Sequence, residues 1–242
     1  MRIAVVNFSG NVGKSTLSRQ LLEPRIPGCK RFTVETINSD EKKDDDIEPI
    51  SAQEFSELNE YLLSLPSYIV DIGSSNIEGV MEIMKQYRGS HNDFDYFVVP
   101  VLMEEKIQRD CISTINDLLK MGVPGSKIKV ILNRFDLKKR LKVENVFAPI
   151  FAFQSDLKEP KKFWANKNAV VYESDAFARA KALNKSIAEL ANDPTDYRAM
   201  LASISLEEVQ KREEVTKVLM AQRIAMSTQD NLDDVFKLAF KK

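Results

Sequence analysis

Gly13, Lys14 and Ser15 stand together near the start of the chain, after Ser9, Gly10, Asn11 and Val12 and before Thr16. A flexible residue, an ammonium and a hydroxyl in consecutive positions are the parts of a phosphate and Mg²⁺ site. The apolar run Ile3, Ala4, Val5, Val6 precedes them and reads as a buried strand, while Thr16 to Leu22 reads as a helix. A glycine-bearing turn from strand to helix is how a P-loop is built. Its backbone N–H groups and the helix N-terminus surround a phosphate. Lys14 then reaches the outer phosphates and Ser15 holds Mg²⁺. Ser9, Gly10, Asn11, Val12, Gly13, Lys14, Ser15 and Thr16 are therefore the expected phosphate-binding residues. The strict pattern has glycine where this chain has Phe8.

Three further groups fit the same chemistry. Asp71 closes the apolar run Tyr68, Ile69, Val70 and is followed by Ile72 and a Gly73, Ser74, Ser75, Asn76 turn. A carboxylate there fits a Walker-B-type acid that orients Mg²⁺ through water; the alternative is a helix N-cap, which Ser74, Ser75 or Asn76 serves better. Glu35, Asn38 and Asp40, at and beyond the end of the alternating run 32–37, are the candidates for positioning an attacking water. Asn133, Arg134, Phe135 and Asp136 follow the strand-like run 128–132. An asparagine and arginine pair reads an adenine edge, whereas Asn-Lys-x-Asp reads guanine through its aspartate. Arginine at 134 favours adenine, and Asp136 keeps a GTP-binding switch as the rival. A plain turn held by Asn133 and Asp136 is the bland reading.

These residues need a scaffold that brings strand ends together. Strand-like runs at 3–6, 32–37, 68–73, 94–101 and 128–132 alternate with helical patterns. Phe55, Leu58 and Leu62 share a face after a capping box at 51–54, Val80, Ile83, Met84 and Tyr87 share another, and Ile107, Cys111, Ile115 and Leu118 a third. Strand and helix in alternation predict an α/β fold with a doubly wound, mostly parallel sheet, and such sheets bind ligands at the C-terminal ends of their strands. Ser9 to Ser15, Asp71 and Asn133 all fall at such ends. Further on, 147–153 and 169–172 read as short strands. Ser174 caps a helix carrying Phe177, Ala180, Leu183, Ile187 and Leu190 up to Asn192, Asp193 and Pro194. The chain from Thr195 onward reads as helical. The expected division is a nucleotide-binding domain over 1–192 and a helical C-terminal appendage, or partner surface, over 193–242.

Composition narrows the function classes. A chain of 242 residues with 43% hydrophobic content can bury a substantial core, and a formal net charge of −1 gives no global attraction to nucleic acid. The local run Lys138, Lys139, Arg140 and Lys142 is either a DNA contact or a solvated face, and Asp44, Asp45 and Asp46 read as solvated surface rather than as a metal site. Cys29 and Cys111 have no metal spacing, with Cys111 on a helix face expected in the core, and His91 sits in a polar loop. No apolar run approaches the ~20 residues of a membrane span, and Met1 leads directly into a strand, so a cytoplasmic protein is expected.

The turn of Asn7 to Thr16 and the pair Asn133 and Arg134 resemble the ParA/MinD-type deviant-Walker ATPases, within the SIMIBI group of P-loop NTPases. Among these, the plasmid-stability StbB proteins carry the same Asn-Phe-Ser-Gly-Asn-Val-Gly-Lys turn. The resemblance spans about residues 1–190. It implies an ATP- and Mg²⁺-binding switch for plasmid stability, segregation or positioning, linked to conjugative transfer. It also implies a nucleotide-dependent homodimer and a plasmid-encoded partner protein or DNA complex. The family motif begins Lys-Gly-Gly, with a signature lysine that crosses the dimer; here those positions are Ser9, Gly10 and Asn11. The family's Asp-x-Asp is Glu35, Thr36 and Ile37. Slow or partner-stimulated hydrolysis is the expectation, and a non-hydrolysing nucleotide-dependent adaptor is the other rival.

Overall fold

Successive side chains of a strand point to opposite faces, so a strand covered on both sides must be apolar at every position. Arg2–Val5 (β1) and Tyr68–Ile72 (β3) meet that demand, apart from Arg2 at one end and Asp71 near the other. The computed structural model describes residues 1–35 and 54–240. After β1 the elements run α1 (Lys14–Thr16, continued by a π-helical turn Leu17–Leu22), β2 (Lys30–Val34), α2 (Phe55–Leu63), β3, α3 (Ile77–Gln86), β4 (Tyr96–Val101), α4 (Glu105–Lys120) and β5 (Ile128–Phe135). Then come α5 (Val143–Val146), α6 (Ala148–Asp156), β6 (Val170–Tyr172), α7 (Ala176–Ala182), α8 (Ile187–Ala191), α9 (Tyr197–Ser203) and α10 (Val209–Phe240). Residues 36–37 of the strand expected at 32–37, the capping-box residues 51–53, the carboxylate run at 44–46, and Asn38 and Asp40 lie outside the described residues.

The strands form one parallel sheet in the order β2-β3-β1-β4-β5-β6. β1 is central, and the chain switches sides of it between β3 and β4, which opens a crevice at the C-terminal end of β1. Ala4, Val70, Phe97, Val99 and Val130 face one layer, packed with Phe55, Val80, Cys111, Ile115 and Ile150 from the helices over it. Ile3, Val5, Ile69, Val98 and Ile131 face the other, against Leu17, Leu21, Ala180, Ile187, Leu232 and Phe236. Burying one such Leu or Ile fully is worth roughly 1.5–3 kcal/mol, so the two layers together can hold a costly site at the sheet's edge.

The end of the chain completes the second layer. Ala221, Ala225, Leu232, Val235, Phe236 and Ala239 of α10 are buried in it. Asn231 of α10 treats β6 as a neighbouring strand would: its Nδ2 donates to Val170 O at 2.9 Å and its Oδ1 accepts from Tyr172 N at 3.1 Å. Both groups would otherwise be open positions on the sheet edge. Arg25 ties α10 to the helix after the phosphate loop. Its guanidinium donates to Gln20 O and Leu21 O at 2.8 and 3.0 Å and to Asp233 Oδ1 at 2.7 Å.

Two sequence expectations are corrected here. The run at 147–153 is helical, with Pro149 in the first turn of α6, where a missing N–H costs nothing. Phe147 and Ile150 are buried one helical turn apart; a short apolar run does not reveal its own period. The helix from Ser174 is two helices. Asn184 takes a left-handed φ of 49° between them, and Ser186 restarts the chain with a capping box to Glu189. Cys111 is fully buried, and burial pushes its thiol pKa well above the usual range.

Candidate functional site

The chain leaves β1 through Asn7, turns through residues 8–13 and enters α1 at Lys14. Asn11 and Gly13 hold left-handed φ values of 56° and 86°. Glycine is required at 13 on two grounds. Side chains rarely adopt that φ, and a Cβ there would lie 2.5 Å from Asn133 Nδ2. Asn11 takes its position at lower cost than most residues, because asparagine visits this region readily. The helix then opens to π spacing over Leu17–Leu22, while Ser18 Oγ donates to Lys14 O at 3.0 Å. π turns are rare and gather at functional sites.

Lys14 is buried, and its ammonium donates to Ser9 O at 2.9 Å and Asn7 O at 3.3 Å, inside the curve of the loop. Burial lowers its pKa against the pull of Asp71 and Glu35. Gly10, Asn11 and Ser15 stay exposed, whereas Val12 and Gly13 are covered. The loop thus shows solvent a rim of small and polar groups around a sequestered cation.

Asp71 is 1% exposed, and neither carboxylate oxygen has a hydrogen-bond partner among the described residues. Burial pushes its pKa up to about 6. The Ser15 hydroxyl and the Lys14 charge pull the other way, and the hydroxyl does so without closing a well-formed hydrogen bond. Glu35, at the end of β2, sets its Cγ 3.0 Å from where a Cβ of Gly73 would be, and its charge acts on both Asp71 and Lys14. A Cβ on Gly10 would lie 3.4 Å from Ser74 Oγ. The edges of β1, β2 and β3 therefore meet at one place.

From the other side comes β5. Asn133 is buried and donates through Nδ2 to Val12 O at 2.9 Å. Arg134 is exposed, with a left-handed φ of 51° and its Nε 3.8 Å from the same virtual Cβ on Gly13. Asp136 turns away to cap the next turn, accepting from Lys138 N at 2.8 Å. Lys138, Lys139, Arg140 and Lys142 are exposed along the segment that follows.

A central β1, a phosphate-loop turn after it, a strand-end acid on β3 and an asparagine closing in from β5 are now in one frame. The fold is that of the ParA/MinD-type ATPases. The chain is similar to MinD of Aquifex aeolicus in its complex with MinC, at 13% identity and a TM-score of 0.53, over 96% of each chain. A second MinD structure from Aquifex aeolicus matches at 14% identity and 0.50, over 96% of this chain and 97% of that one. MinD of Pyrococcus horikoshii OT3, solved with Mg-ADP, matches at 13% and 0.50, over 100% of this chain and 99% of that one. No family model and no curated protein matches the sequence.

Within this ParA/MinD fold the loop residues 9–16, Asp71, Glu35, Asn133 and Arg134 converge, while Asp136 points into its own turn. Sequence reasoning passed over Asn7, Asp110 and Thr114. Asn7 is fully buried between the loop and β4, and Thr114 is fully buried on α4. The one signal for Thr114 was a polar residue on a helical face otherwise made of Cys111, Ile115 and Leu118. No cluster of three or more His, Cys, Asp or Glu side chains forms a metal site among the described residues. The donors at hand are one hydroxyl, Ser15, and one buried carboxylate, Asp71. Such a set suits Mg²⁺, which keeps several waters and takes its remaining ligands from phosphate oxygens.

Proposed function

We propose that this protein is an ATP- and Mg²⁺-binding switch of the partition type, acting in plasmid stability, segregation or positioning. The observation that carries the reading is Asp71: a carboxylate buried without a partner, beside a buried ammonium and a hydroxyl at the mouth of a phosphate loop. Folding alone gives no reason to bury it, since an unpaired buried charge is costly. A hydrated Mg²⁺ would give its oxygens partners, and a phosphate would do the same for Lys14.

Each residue then has a role. The N–H groups of residues 10–16 bind the phosphates, Lys14 neutralises them, and Ser15 with Asp71 holds Mg²⁺, which supplies charge neutralisation at the phosphate oxygens. With Nδ2 committed to Val12 O, Asn133 keeps its Oδ1 as an acceptor for a base amino group, and the preference for adenine over guanine rests on Arg134 and on Asp136. Asp136, the group a guanine reader would need, is engaged with Lys138 N. Glu35 is the described carboxylate available to orient water.

A nucleotide-dependent homodimer and a partner protein or DNA complex complete the proposal, with Lys138, Lys139, Arg140 and Lys142 as the contact for a polyanion. The MinD solved with MinC is an instance of this fold engaging a protein partner. Ser9, standing where the resembling family has its trans-acting lysine, favours slow turnover that a partner raises. ATP and GTP affinities measured side by side test the core of the reading, with phosphate release followed in the same samples. ATP should bind more tightly, in a Mg²⁺-dependent manner. Lys14→Ala should weaken it by about 30-fold or more, as expected for removing a buried charge partner. Tighter GTP binding, or ATP binding indifferent to Lys14, overturns it.

A further inference from the structure

A phosphate loop works by holding its N–H groups aimed before the ligand arrives, so whatever fixes the loop's backbone sets part of the affinity. Residues 7–9 are fixed here from outside the loop. Asn7 Nδ2 donates to Pro100 O at the end of β4 at 2.7 Å, and its Oδ1 accepts from Ser9 N at 2.7 Å. Phe8 N donates to Thr114 Oγ1 at 3.2 Å, and that hydroxyl donates to Asp110 O at 2.8 Å. The Ser9 hydroxyl donates to the Asp110 carboxylate, a charge-assisted bond. The next link lies inside the site, because Ser9 O and Asn7 O are the two acceptors of the Lys14 ammonium.

We propose that Asp110 is a positioning residue for the phosphate loop. Through Ser9 it holds the carbonyl that seats Lys14, and α4 thereby sets nucleotide affinity from within one subunit. The inference rests on reading the loop as a nucleotide site. It goes further in giving the Ser9 position a job: in place of a side chain reaching outward to a second copy, this chain has a hydroxyl turned inward onto its own α4.

Asp110→Ala, Ser9→Ala, their double variant and Asp110→Asn in the full chain test this. The assays are fluorescent ATP binding and amide hydrogen exchange at residues 9–13, with urea midpoints recorded without nucleotide. Losing a hydrogen bond to a charged group predicts about tenfold weaker ATP binding for Asp110→Ala and for Ser9→Ala. The double variant should be no worse than either single one, because both remove the same bond. Asp110→Asn keeps an acceptor oxygen and should stay within about threefold of the parent. Exchange at residues 9–13 should quicken in the two alanine variants, and their urea midpoints, lowered to a similar extent by loss of the same bond, should still show folded proteins. Unchanged binding and exchange in Asp110→Ala overturns the proposal, as do losses that add in the double variant or an asparagine variant as weak as the alanine one. If the folded parent chain binds no nucleotide, the nucleotide reading fails, and the exchange rates still decide whether Asp110 braces the loop.

Discussion

Replacing Asp71 by asparagine removes a charge that the fold holds at a cost, and that cost can be worked out. The carboxyl moves from its usual 3.8 to about 6 on folding, mainly because burial penalises the ionised form. At about 1.4 kcal/mol for each pH unit, this comes to about 3 kcal/mol lost when the group ionises inside the folded protein. The sign follows from proton counts. Above pH 6 both folded and unfolded chains carry Asp71 ionised, and the folded one bears the full penalty. Between about 6 and 4 the folded protein takes up a proton that the unfolded chain does not, so acidification stabilises it through this group. Below about 4 both forms are protonated and the penalty is gone.

Urea unfolding of the parent and of Asp71→Asn, in EDTA and without nucleotide from pH 8 to pH 4, isolates this effect. Carboxylates away from Asp71 titrate alike in both proteins and cancel in the difference. The amide's own unsatisfied groups cost about 1–3 kcal/mol, but that cost does not vary with pH and cancels in the slope. The parent should therefore gain up to about 3 kcal/mol on the variant as the pH falls from 8 to 4. Saturating Mg²⁺ and ATP should move the parent's titration to lower pH, since a bound cation favours the ionised form. The same ligands should stabilise Asp71→Asn far less. A flat difference curve would show that Asp71 is not held out of water as the structure has it. Equal ligand stabilisation in the two proteins would remove it from the metal site.

Gly13→Ala combines a left-handed φ of 86° with a Cβ 2.5 Å from Asn133 Nδ2; it should cost about 2–4 kcal/mol in urea unfolding and weaken ATP binding. Gly28→Ala is its control, with a φ of 69° and nothing within 4 Å of the new carbon; it should cost only about 1 kcal/mol and leave nucleotide affinity alone. Asn231→Ala removes both bonds from α10 to the edge of β6. It should cost about 2 kcal/mol and speed exchange of the Tyr172 amide, whereas an unchanged Tyr172 rate would mean that the edge is closed by other means.

The sheet was legible because its strands are buried on both faces and punctuated by glycine, and because Gly13, Lys14 and Ser15 sit in the only order that suits a phosphate turn. What escaped the sequence shares one physical cause: the missing information was non-local. Whether residues 147–153 form a strand or a helix depends on the partners of Phe147 and Ile150, since a run this short has no readable period. The break near Asn184 depends on a backbone conformation that no hydrophobic spacing encodes. Asp110 and Thr114 matter through contacts about a hundred residues away, to Ser9 and Phe8. Asn133 was expected to face a base. Its tie to Val12, and the steric reason for Gly13 that comes with it, required two strand ends in one frame.

The costliest features of this molecule, its buried charges at Asp71 and Lys14, gather in one place. Asp71 is buried with no partner, Lys14 is buried with a lowered pKa, Gly13 and Asn11 hold left-handed backbone, and a π turn follows α1. All lie within the few residues that bridge the C-terminal ends of β1 and β3 to the first helix. Elsewhere among the described residues the buried side-chain oxygens without a partner belong to neutral amides, Asn59, Gln108 and Gln229, and other polar groups are satisfied by ordinary means, as with Asn231 on β6 or Arg25 on the last carbonyls of the helix after the loop. A sequence shaped for stability alone would carry an apolar or amide side chain at 71. Concentrating the cost at one sheet edge makes sense only if a ligand offsets it there. On the function proposed above, a metal-bound nucleotide supplies both the negative charge that suits Lys14 and the cation that suits Asp71.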